Sequence, residues 1–536
     1  MSYPSHIQTL IVEDEHGPIE NYRHFFQDLA KLDVAPPVIV SSRDDAANCL
    51  SGNSIYHLII IDLGLPYATR EAAKDGVEPG IELLQLAATR EKYPIPAALV
   101  ISGRLGQAKL PSLGDYLATK FWYGKMVNKG SGEEEEIQNA MDKVRIYCNV
   151  GIHVCDGAGR LCPTVSPREE DLLRRCVLAQ TQCIGLDIEW WGTYPGTSVA
   201  VDPTMNLMTK VLMGRFLLRD GKDSSRPSFF KFEPKESAIT SHEAAAIMVH
   251  KLGHMKICSS IHSANRSLLV TQQVGGSSNP PISLAEMLTK NAEIAAKAIP
   301  QVVSDIADQL ASLGAVTDNC FNVSDLLWPC HNLETVRKAW DRHGKGREPV
   351  PVRLLEALRI SAQQIWVRRQ SCTHGDLNAT NIALEEVDGG YRGYIFDAAG
   401  MKADTAMRDL AMLEVTSLLH QPSPSCEDLV FKCQSLYNDG VTMPAVALSE
   451  ETSQIVRNTF HLIQEIRRHA LSPDNAPGYA LMVFDCAMIQ LGGLAIQSHQ
   501  NKITNPESAV KLAELAANWL LAVAPTLAKT PDRPNF

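Results

Sequence analysis

Five short runs of almost continuous apolar residues recur through the first 148 residues, and they constrain the fold more than any other feature. The runs span residues 9–13, 37–41, 57–62, 97–102 and 125–129, and amphipathic stretches separate them. Apolar runs of this length are typical of strands buried on both faces of a parallel sheet. The alternation predicts a helix between successive strands. The region is therefore predicted to be an α/β domain with a doubly wound, five-stranded parallel sheet.

Polar side chains stand at the ends of four of these runs: Glu13 and Asp14, Asp62, Ser102, and Lys129. In a doubly wound sheet, the carboxyl ends of the strands converge on one crevice. Three carboxylates there repel one another unless a cation lies between them, and oxygen ligands suit Mg²⁺. We expect Glu13, Asp14 and Asp62 to hold Mg²⁺, with Asp62 as the nucleophile that becomes an aspartyl phosphate. Ser102 would donate a hydrogen bond to the phosphoryl group, and Lys129 would pair with its oxygens.

The motifs LIVEDE, IIIDLGLP, VISG and VNKG resemble, in order, the site motifs of the response-regulator receiver family. The resemblance covers residues 1–148 and implies phosphorylation of Asp62 by a histidine kinase or another phosphodonor. Two features depart from the family pattern: the loop between Pro66 and Gly80 is longer than usual, and Met126 stands where an aromatic switch residue is expected. A receiver fold kept only as a docking module is the alternative interpretation.

The length of 536 residues exceeds what one hydrophobic core usually organises, so further domains are expected. Residues 149–185 are predicted to be a linker with one helix, in which Ser166 is the N-cap and Pro167 the first helical residue. Strand-like runs dominate residues 186–275, and residues 276–536 are mostly helical. This order predicts an α+β domain with a β-rich lobe followed by a helical lobe.

One loop of the helical half carries a phosphoryl-transfer pattern. The segment from residue 371 places His374, Asp376 and Asn381 in one loop, and Asp397 follows a strand. Asp376 and Asn381 have the spacing of a D-x-x-x-x-N catalytic loop, in which the carboxylate orients a hydroxyl nucleophile. Asn381 and Asp397 would supply oxygen ligands to the Mg²⁺ that bridges the phosphates of ATP.

The H-G-D form, the N-x-x-N spacing and the strand before Asp397 resemble the aminoglycoside phosphotransferase and choline kinase group, which shares the protein-kinase-like bilobal fold. The resemblance implies that Asp376 is the catalytic base, that Asn381 and Asp397 hold Mg²⁺, and that Asp409 supports the loop. ATP and Mg²⁺ are the implied cofactors.

Nucleotide binding in such a fold needs a strand lysine and an acid that holds it. Lys231 lies in a strand-like run and Glu243 on the following helical stretch, so this pair is predicted, with Lys235 and Glu236 as alternatives. The glycine-containing segment 192–198 is either a phosphate-binding loop or an ordinary hairpin. The segment 268–276 is predicted to be the adenine-binding hinge.

The overall composition of the chain limits the classes of partner that the protein is expected to bind and the compartment in which it is expected to occur. A formal net charge of −11 argues against nucleic acid, which is bound by clustered Lys and Arg. No apolar run approaches the roughly 20 residues that span a bilayer, and no signal peptide is apparent, so a cytoplasmic protein without a membrane partner is expected. The 13 cysteines lack C-x-x-C pairs, which favours reduced thiols.

Together these features predict a signalling-linked, ATP-dependent phosphotransferase that acts on a hydroxyl of a small molecule or a protein and is regulated by the receiver. The alternative is a catalytically silent kinase-like module that binds nucleotide or partners and reports the state of the receiver. The acceptor is not identified by any motif. Homodimerisation is one of the ways in which a receiver could exert control.

Overall fold

A computed structural model of the chain gives the fold. It describes residues 7–29, 34–68, 78–90, 94–103, 105, 113–130, 132–154, 165–180, 182–189, 210–220, 226–263, 266–273, 282–290, 292–322, 327–344, 350–362, 365–397, 401–405, 407–420, 426–437, 453–472, 475–495, 503 and 505–524.

The first sheet has five parallel strands in the order β2-β1-β3-β4-β5. Its strands are β1 (Thr9–Val12), β2 (Val38–Val40), β3 (Leu58–Ile61), β4 (Ala97–Ser102) and β5 (Gly124–Asn128). Its helices are α1 (His16–Leu29), α2 (Arg43–Ser51), α3 (Glu78–Thr89), α4 (Leu113–Lys120) and α5 (Glu133–Cys148). Apolar cores cover both faces of the sheet, which accounts for the continuous apolar runs. The predicted doubly wound receiver fold is confirmed.

The second sheet has six strands in the order β10-β11-β9-β8-β7-β6. Its elements are β6 (Gly151–Val154), α6 (Pro167–Ala179), β7 (Cys183–Glu189), β8 (Lys210–Leu218), β9 (Ser228–Pro234), α7 (Lys235–Leu252), β10 (Met255–His262) and β11 (Arg266–Gln273). β6 pairs in parallel with β7, whereas β7, β8, β9 and β11 pair in antiparallel fashion.

The segment 149–185, expected to be a linker, contributes both a strand and a helix to this part of the protein. β6 is only four residues long and forms an edge of the sheet, so its apolar pattern is weak in the sequence. The predicted start of α6 is confirmed, because Ser166 and Glu169 form a capping box and Pro167 is the first helical residue.

The remaining described residues are mostly helical and carry two three-stranded sheets, β12-β15-β16 and β13-β14-β17. The strands are β12 (Ile282–Ser283), β13 (Val316–Asn322), β14 (Trp366–Thr373), β15 (Ile382–Val387), β16 (Gly390–Ile395) and β17 (Lys402–Thr405). The helices are α8 (Leu284–Lys290), α9 (Ala292–Leu313), α10 (Trp328–His331), α11 (Leu333–His343), α12 (Val350–Ala362), α13 (Arg408–Leu419), α14 (Cys426–Lys432), α15 (Gln454–Ala470), α16 (Ala476–Gly493) and α17 (Pro506–Val523). A β-rich part followed by a helical part confirms the predicted α+β class.

The chain forms two compact units. One contains the five-stranded sheet and most of the six-stranded sheet, and the other contains the helical part from β12 onward together with most of α7. None of the helices within the described ranges combines the length and apolar character that a bilayer span requires.

Candidate functional site

An acidic pocket lies at the carboxyl edge of the five-stranded sheet. Glu13 and Asp14 follow β1, and Asp62 follows β3; each of the three offers a carboxylate oxygen, and these oxygens lie within 4.8 Å of one another. The backbone N–H of Asp62 donates to Val12 O at 3.0 Å, so the parallel pairing of β1 and β3 fixes the carboxylates side by side. Clustered carboxylate oxygens are the ligands that Mg²⁺ prefers, and this donor set fits that ion.

Asp62 is held on both of its carboxylate oxygens. Ser102 Oγ donates to Asp62 Oδ1 at 2.6 Å, and the backbone N–H of Gly64 donates to the same oxygen at 3.2 Å. Lys129 Nζ donates to Asp62 Oδ2 at 3.0 Å. The carboxylate is buried, with 8 % of the residue exposed. These protein donors therefore take the place of the water molecules that would solvate an exposed carboxylate.

Lys129 is the cation that balances the acidic pocket. Its Nζ lies 3.0 Å from Glu13, 3.0 Å from Asp62 and 2.9 Å from Glu15. Glu15 was not among the predicted site residues, although the run Glu13-Asp14-Glu15 marks it as a third acid beside the pocket. Burial lowers the pKa of Lys129, but hydrogen bonds to its carboxylate partners outweigh burial and raise the pKa overall.

Burial also shifts the pKa values of Glu13 and Asp14. It raises the pKa of Glu13 to about 7, against the backbone N–H of Glu15 and the ammonium of Lys129, which both lower it. Burial likewise raises the pKa of Asp14, and the nearby charge of Asp62 adds to the increase. A pocket with this excess of negative charge favours a bound cation. The structure thus brings together all five residues of the predicted receiver site.

A second constellation lies in the loop after β14. Asp409, near the start of α13, accepts the backbone N–H of His374 at 2.7 Å and that of Gly375 at 2.8 Å. Gly375 has φ of +82°, a left-handed conformation that glycine adopts without strain. Burial raises the pKa of Asp409, whereas His374 and the two N–H donors oppose the increase. The buried acid therefore fixes the backbone immediately before Asp376.

α13, which carries Asp409, is itself anchored by a buried charge network. Arg467 Nη2 and Nε donate to Glu414 at 2.7 and 3.1 Å. The hydroxyls of Tyr437 and Tyr479 donate to the same carboxylate at 2.8 and 2.9 Å. Because both oxygens of the buried carboxylate are satisfied, the network holds the helix rigidly.

Two asparagine amides hold the backbone of Asp376. Asn381 Nδ2 donates to Asp376 O at 2.8 Å, and Asn378 Nδ2 donates to the same carbonyl at 3.2 Å. Asn378 also caps the 3₁₀ turn Ala379–Asn381 by accepting the backbone N–H of Thr380. Both asparagines are buried while Asp376 is exposed. The loop thus presents the Asp376 side chain to solvent on a fixed backbone.

Asp397 is tied to the same loop through the residue before it. The backbone N–H of Phe396 donates to Asn381 O at 3.0 Å, and His374 Nε2 lies 2.9 Å from Phe396 O. Asp397 itself has φ of +61°, in the left-handed region that disfavours non-glycine residues. His374, Asn381 and Asp397 therefore belong to one connected constellation.

The predicted nucleotide-binding residues, Lys231 and Glu243, lie in different secondary-structure elements and in different compact units. Lys231 lies in β9, and its Nζ forms an ion pair of 2.8 Å with buried Glu233, two residues along the same strand. Glu243 is exposed on α7. Lys231 belongs to one compact unit, whereas Glu243, Asp376, Asn381 and Asp397 belong to the other. The pairing of Lys231 with Glu243 stays a prediction, and the segments 192–198 and 274–276 lie outside the described residues.

Comparisons with known proteins found similar solved structures, but no family model and no curated protein matches the chain. The chain is similar to a CheY-like receiver domain from Methylobacillus flagellatus, with 21 % identity over 26 % of this chain and 99 % of that one and a TM-score of 0.20. It is also similar to a putative aminoglycoside phosphotransferase from Ralstonia eutropha JMP134, with 14 % identity over 64 % of this chain and 93 % of that one and a TM-score of 0.32.

A choline kinase from Cryptosporidium parvum Iowa II is similar as well, with 9 % identity, coverage of 64 % of this chain and 89 % of that one, and a TM-score of 0.30. The TM-scores are low, and the description of the two halves rests on the sheet topology and the site residues of the chain itself. The chain joins a five-stranded parallel sheet of receiver type to an α+β domain of kinase-like type.

Proposed function

We propose that the protein is an ATP-dependent phosphotransferase whose activity is controlled by phosphorylation of its receiver domain. The observation that carries the proposal is the loop in which Asp409 fixes the backbone of His374 and Gly375 and presents Asp376 to solvent. A loop held in this way places a carboxylate where an acceptor hydroxyl can reach it, which a purely structural loop does not need.

In the proposed reaction, Asp376 accepts the proton of an acceptor hydroxyl on a small molecule or a protein. The hydroxyl oxygen forms a bond to the γ-phosphorus of ATP, and the bond between that phosphorus and the bridging oxygen breaks to release ADP. Asn381 and Asp397 would hold Mg²⁺, which neutralises charge on the phosphates when bound. Lys231 would pair with the nucleotide phosphates, with its acid partner drawn from Glu243 or Glu233.

The receiver supplies a separate phosphoryl-transfer centre. Asp62 would attack a phosphoryl group from a histidine kinase or another phosphodonor, with Ser102 and Lys129 binding the transferred oxygens. Glu13, Asp14 and Asp62 would hold Mg²⁺, which reduces the repulsion between the carboxylate and the incoming phosphoryl group when bound. The hydrogen bond from Ser102 to Asp62 supports this arrangement, because the hydroxyl already lies beside the nucleophile.

The test is a screen for transfer of labelled γ-phosphate from ATP to candidate hydroxyl acceptors, including amino alcohols, sugars and proteins. The wild-type protein and Asp376→Ala are compared, and nucleotide binding is measured for both. Transfer by the wild type that is lost in Asp376→Ala, with nucleotide binding retained, supports the proposal. Nucleotide binding with no Asp376-dependent transfer to any acceptor would instead favour a silent nucleotide-binding module.

A further inference from the structure

The receiver contacts α6 at the edge of its sheet opposite the acidic pocket. Tyr147, at the end of α5, donates its hydroxyl to Asp171 Oδ1 on α6 at 2.7 Å. Arg174 Nη1 donates to three backbone carbonyls around the end of α5, those of Tyr147, Cys148 and Val150, at 3.2, 3.1 and 2.6 Å. We call this contact between α5 and α6 the joint. It links the receiver to the six-stranded sheet within one compact unit.

The arginines of the joint are paired, with one exception. Arg175 donates to both oxygens of Asp171, at 3.1 and 2.7 Å, and Arg174 forms an ion pair of 2.7 Å with Glu170. Arg168, on the first turn of α6, is only 4 % exposed. None of its three guanidinium nitrogens has a hydrogen-bond partner within the described part of the chain.

Asp171 attracts this charge electrostatically, but none of the three guanidinium nitrogens of Arg168 forms a hydrogen bond with it. Asp171 already accepts from Arg175 and from the hydroxyl of Tyr147. Burial lowers the pKa of Arg168 to about 10; the charges of Arg175 and Arg90 add to the decrease, and the charge of Asp171 opposes it. A buried guanidinium without hydrogen-bond acceptors is unfavourable, so an acceptor is expected from outside the described residues.

We propose that Arg168 marks a binding site for a small oxyanion of the phosphate or sulfate class within the joint. The planar guanidinium donates two parallel hydrogen bonds to neighbouring oxygens, which selects a tetrahedral oxyanion over a halide. Since every nitrogen of Arg168 is shielded from solvent, the site suits a free anion better than a bulky phosphate ester. The bound anion would tighten the joint, because it binds the native packing of α6 against the receiver and not the opened form.

Hydrogen exchange of the full chain tests the site locally. Exchange is measured over the peptides covering α5 and α6 in potassium phosphate, in potassium sulfate and in potassium chloride of matched ionic strength. Phosphate and sulfate should slow exchange in both helices of the wild type, and chloride should not. A bulky phosphomonoester should have a weaker effect than inorganic phosphate. Equal exchange in phosphate, sulfate and chloride would overturn the proposal, and slowing only in peptides remote from the joint would do the same.

Three variants separate a binding role from a packing role. Arg168→Met should unfold at a higher temperature than the wild type in chloride, by about 2 °C or more, because it removes an unpaired buried charge. It should also bind phosphate at the joint at least tenfold more weakly. Arg168→Lys keeps the positive charge but lacks the paired N–H donors of the guanidinium. It should therefore lose the phosphate response and gain no stability.

Arg175→Met is the matched control, because Arg175 is paired with Asp171 and its loss should lower the unfolding temperature. If Arg168→Met is instead less stable than the wild type in chloride, Arg168 already has a partner and the proposal is wrong. The proposal is also wrong if Arg168→Met keeps the full phosphate response. Neither outcome is evidence for or against the proposed transferase activity, which is measured separately.

Discussion

Asp409 accepts the backbone N–H of His374 at 2.7 Å, and this bond connects the start of α13 to the loop that carries Asp376. The acid is buried, and its second oxygen accepts the N–H of Gly375. One carboxylate therefore satisfies the two consecutive N–H groups of His374 and Gly375.

Asp409→Asn should displace this loop, because an amide has only one oxygen and would face one N–H with its own NH₂ group. We expect ATP turnover to fall roughly tenfold to hundredfold, as misplacement of a reacting group commonly does. Turnover and the melting temperature are measured for the variant and for Asp388→Asn, the same change at an exposed turn. Full turnover by Asp409→Asn would show that the bond does not position Asp376.

Lys129→Met should impair the receiver through the charge that it removes. Without the ammonium, the buried carboxylates of Glu13 and Asp62 lose their shared cation, and the phosphoryl oxygens lose theirs. Labelling of Asp62 by acetyl phosphate is expected to fall at least tenfold.

Glu15→Gln is the matched comparison for Lys129→Met. Glu15 also pairs with Lys129, but its side chain is 62 % exposed, so the pair contributes at most about 1 kcal/mol. Labelling of Glu15→Gln should stay within about twofold of the wild type. A loss as large as that of Lys129→Met would mean that Glu15 is a full member of the site.

Gly80→Ala should disturb the phosphoacceptor loop by direct collision. A Cβ at Gly80 would lie 2.6 Å from Leu63 Cα and 2.8 Å from Asp62 O, both of them backbone atoms. We expect a loss of stability of about 1–3 kcal/mol together with slower labelling of Asp62. Gly17→Ala, where a Cβ meets no atom within 4 Å, should leave labelling unchanged and stability equal or slightly higher. Urea unfolding and acetyl phosphate labelling of both variants check the pair.

His57 should make stability depend on pH below neutrality. Its Nδ1 accepts the backbone N–H of Gln8 at 3.0 Å, and burial, with the charge of Arg174 adding to it, lowers its pKa to about 4 from 6.5. Between these two values the unfolded chain binds a proton that the folded protein excludes, so stability falls as the pH decreases through this window.

The shift corresponds to a loss of about 3 kcal/mol between pH 7 and pH 4. His57→Asn keeps an acceptor for Gln8 but cannot titrate. Denaturant unfolding at a series of pH values should therefore give a smaller decrease for His57→Asn than for the wild type. Parallel curves for the two proteins would contradict the assigned cause.

The receiver site was predictable from the sequence because a parallel sheet brings its carboxyl strand ends together by topology alone. Five polar residues at those ends therefore predicted the pocket without any knowledge of loop geometry. The contact between Lys129 and Glu15 was not predictable, since it depends on the conformation of the flexible Lys129 side chain. Asp409 was predicted as a supporting acid through the family resemblance, and its hydrogen bonds to the loop confirm that role.

Lys231 forms an ion pair with Glu233 that was not predicted from the sequence. The sequence predicts Glu243, on the following helix, as the acid that holds Lys231, and that pairing stays a prediction. Glu233 stands two residues after Lys231 in the same strand, and residues two apart in a strand share one face of the sheet. The two-residue spacing between Lys231 and Glu233 can be read directly from the sequence. β6 escaped prediction for a different reason, because a four-residue edge strand carries too little pattern to be distinguished from a loop.

The role of Asp376 is tested most directly by the rate of γ-phosphate transfer or release from Mg²⁺·ATP by the full chain. The rate is compared for the wild type, Asp376→Asn and the control Asp388→Asn, with the dissociation constant of the nucleotide measured in parallel. We expect Asp376→Asn to bind ATP normally and to be slower by roughly 10²-fold or more, while Asp388→Asn matches the wild type. Equal rates for the wild type and Asp376→Asn, with ATP bound by both, would contradict the assignment of Asp376 as the catalytic base.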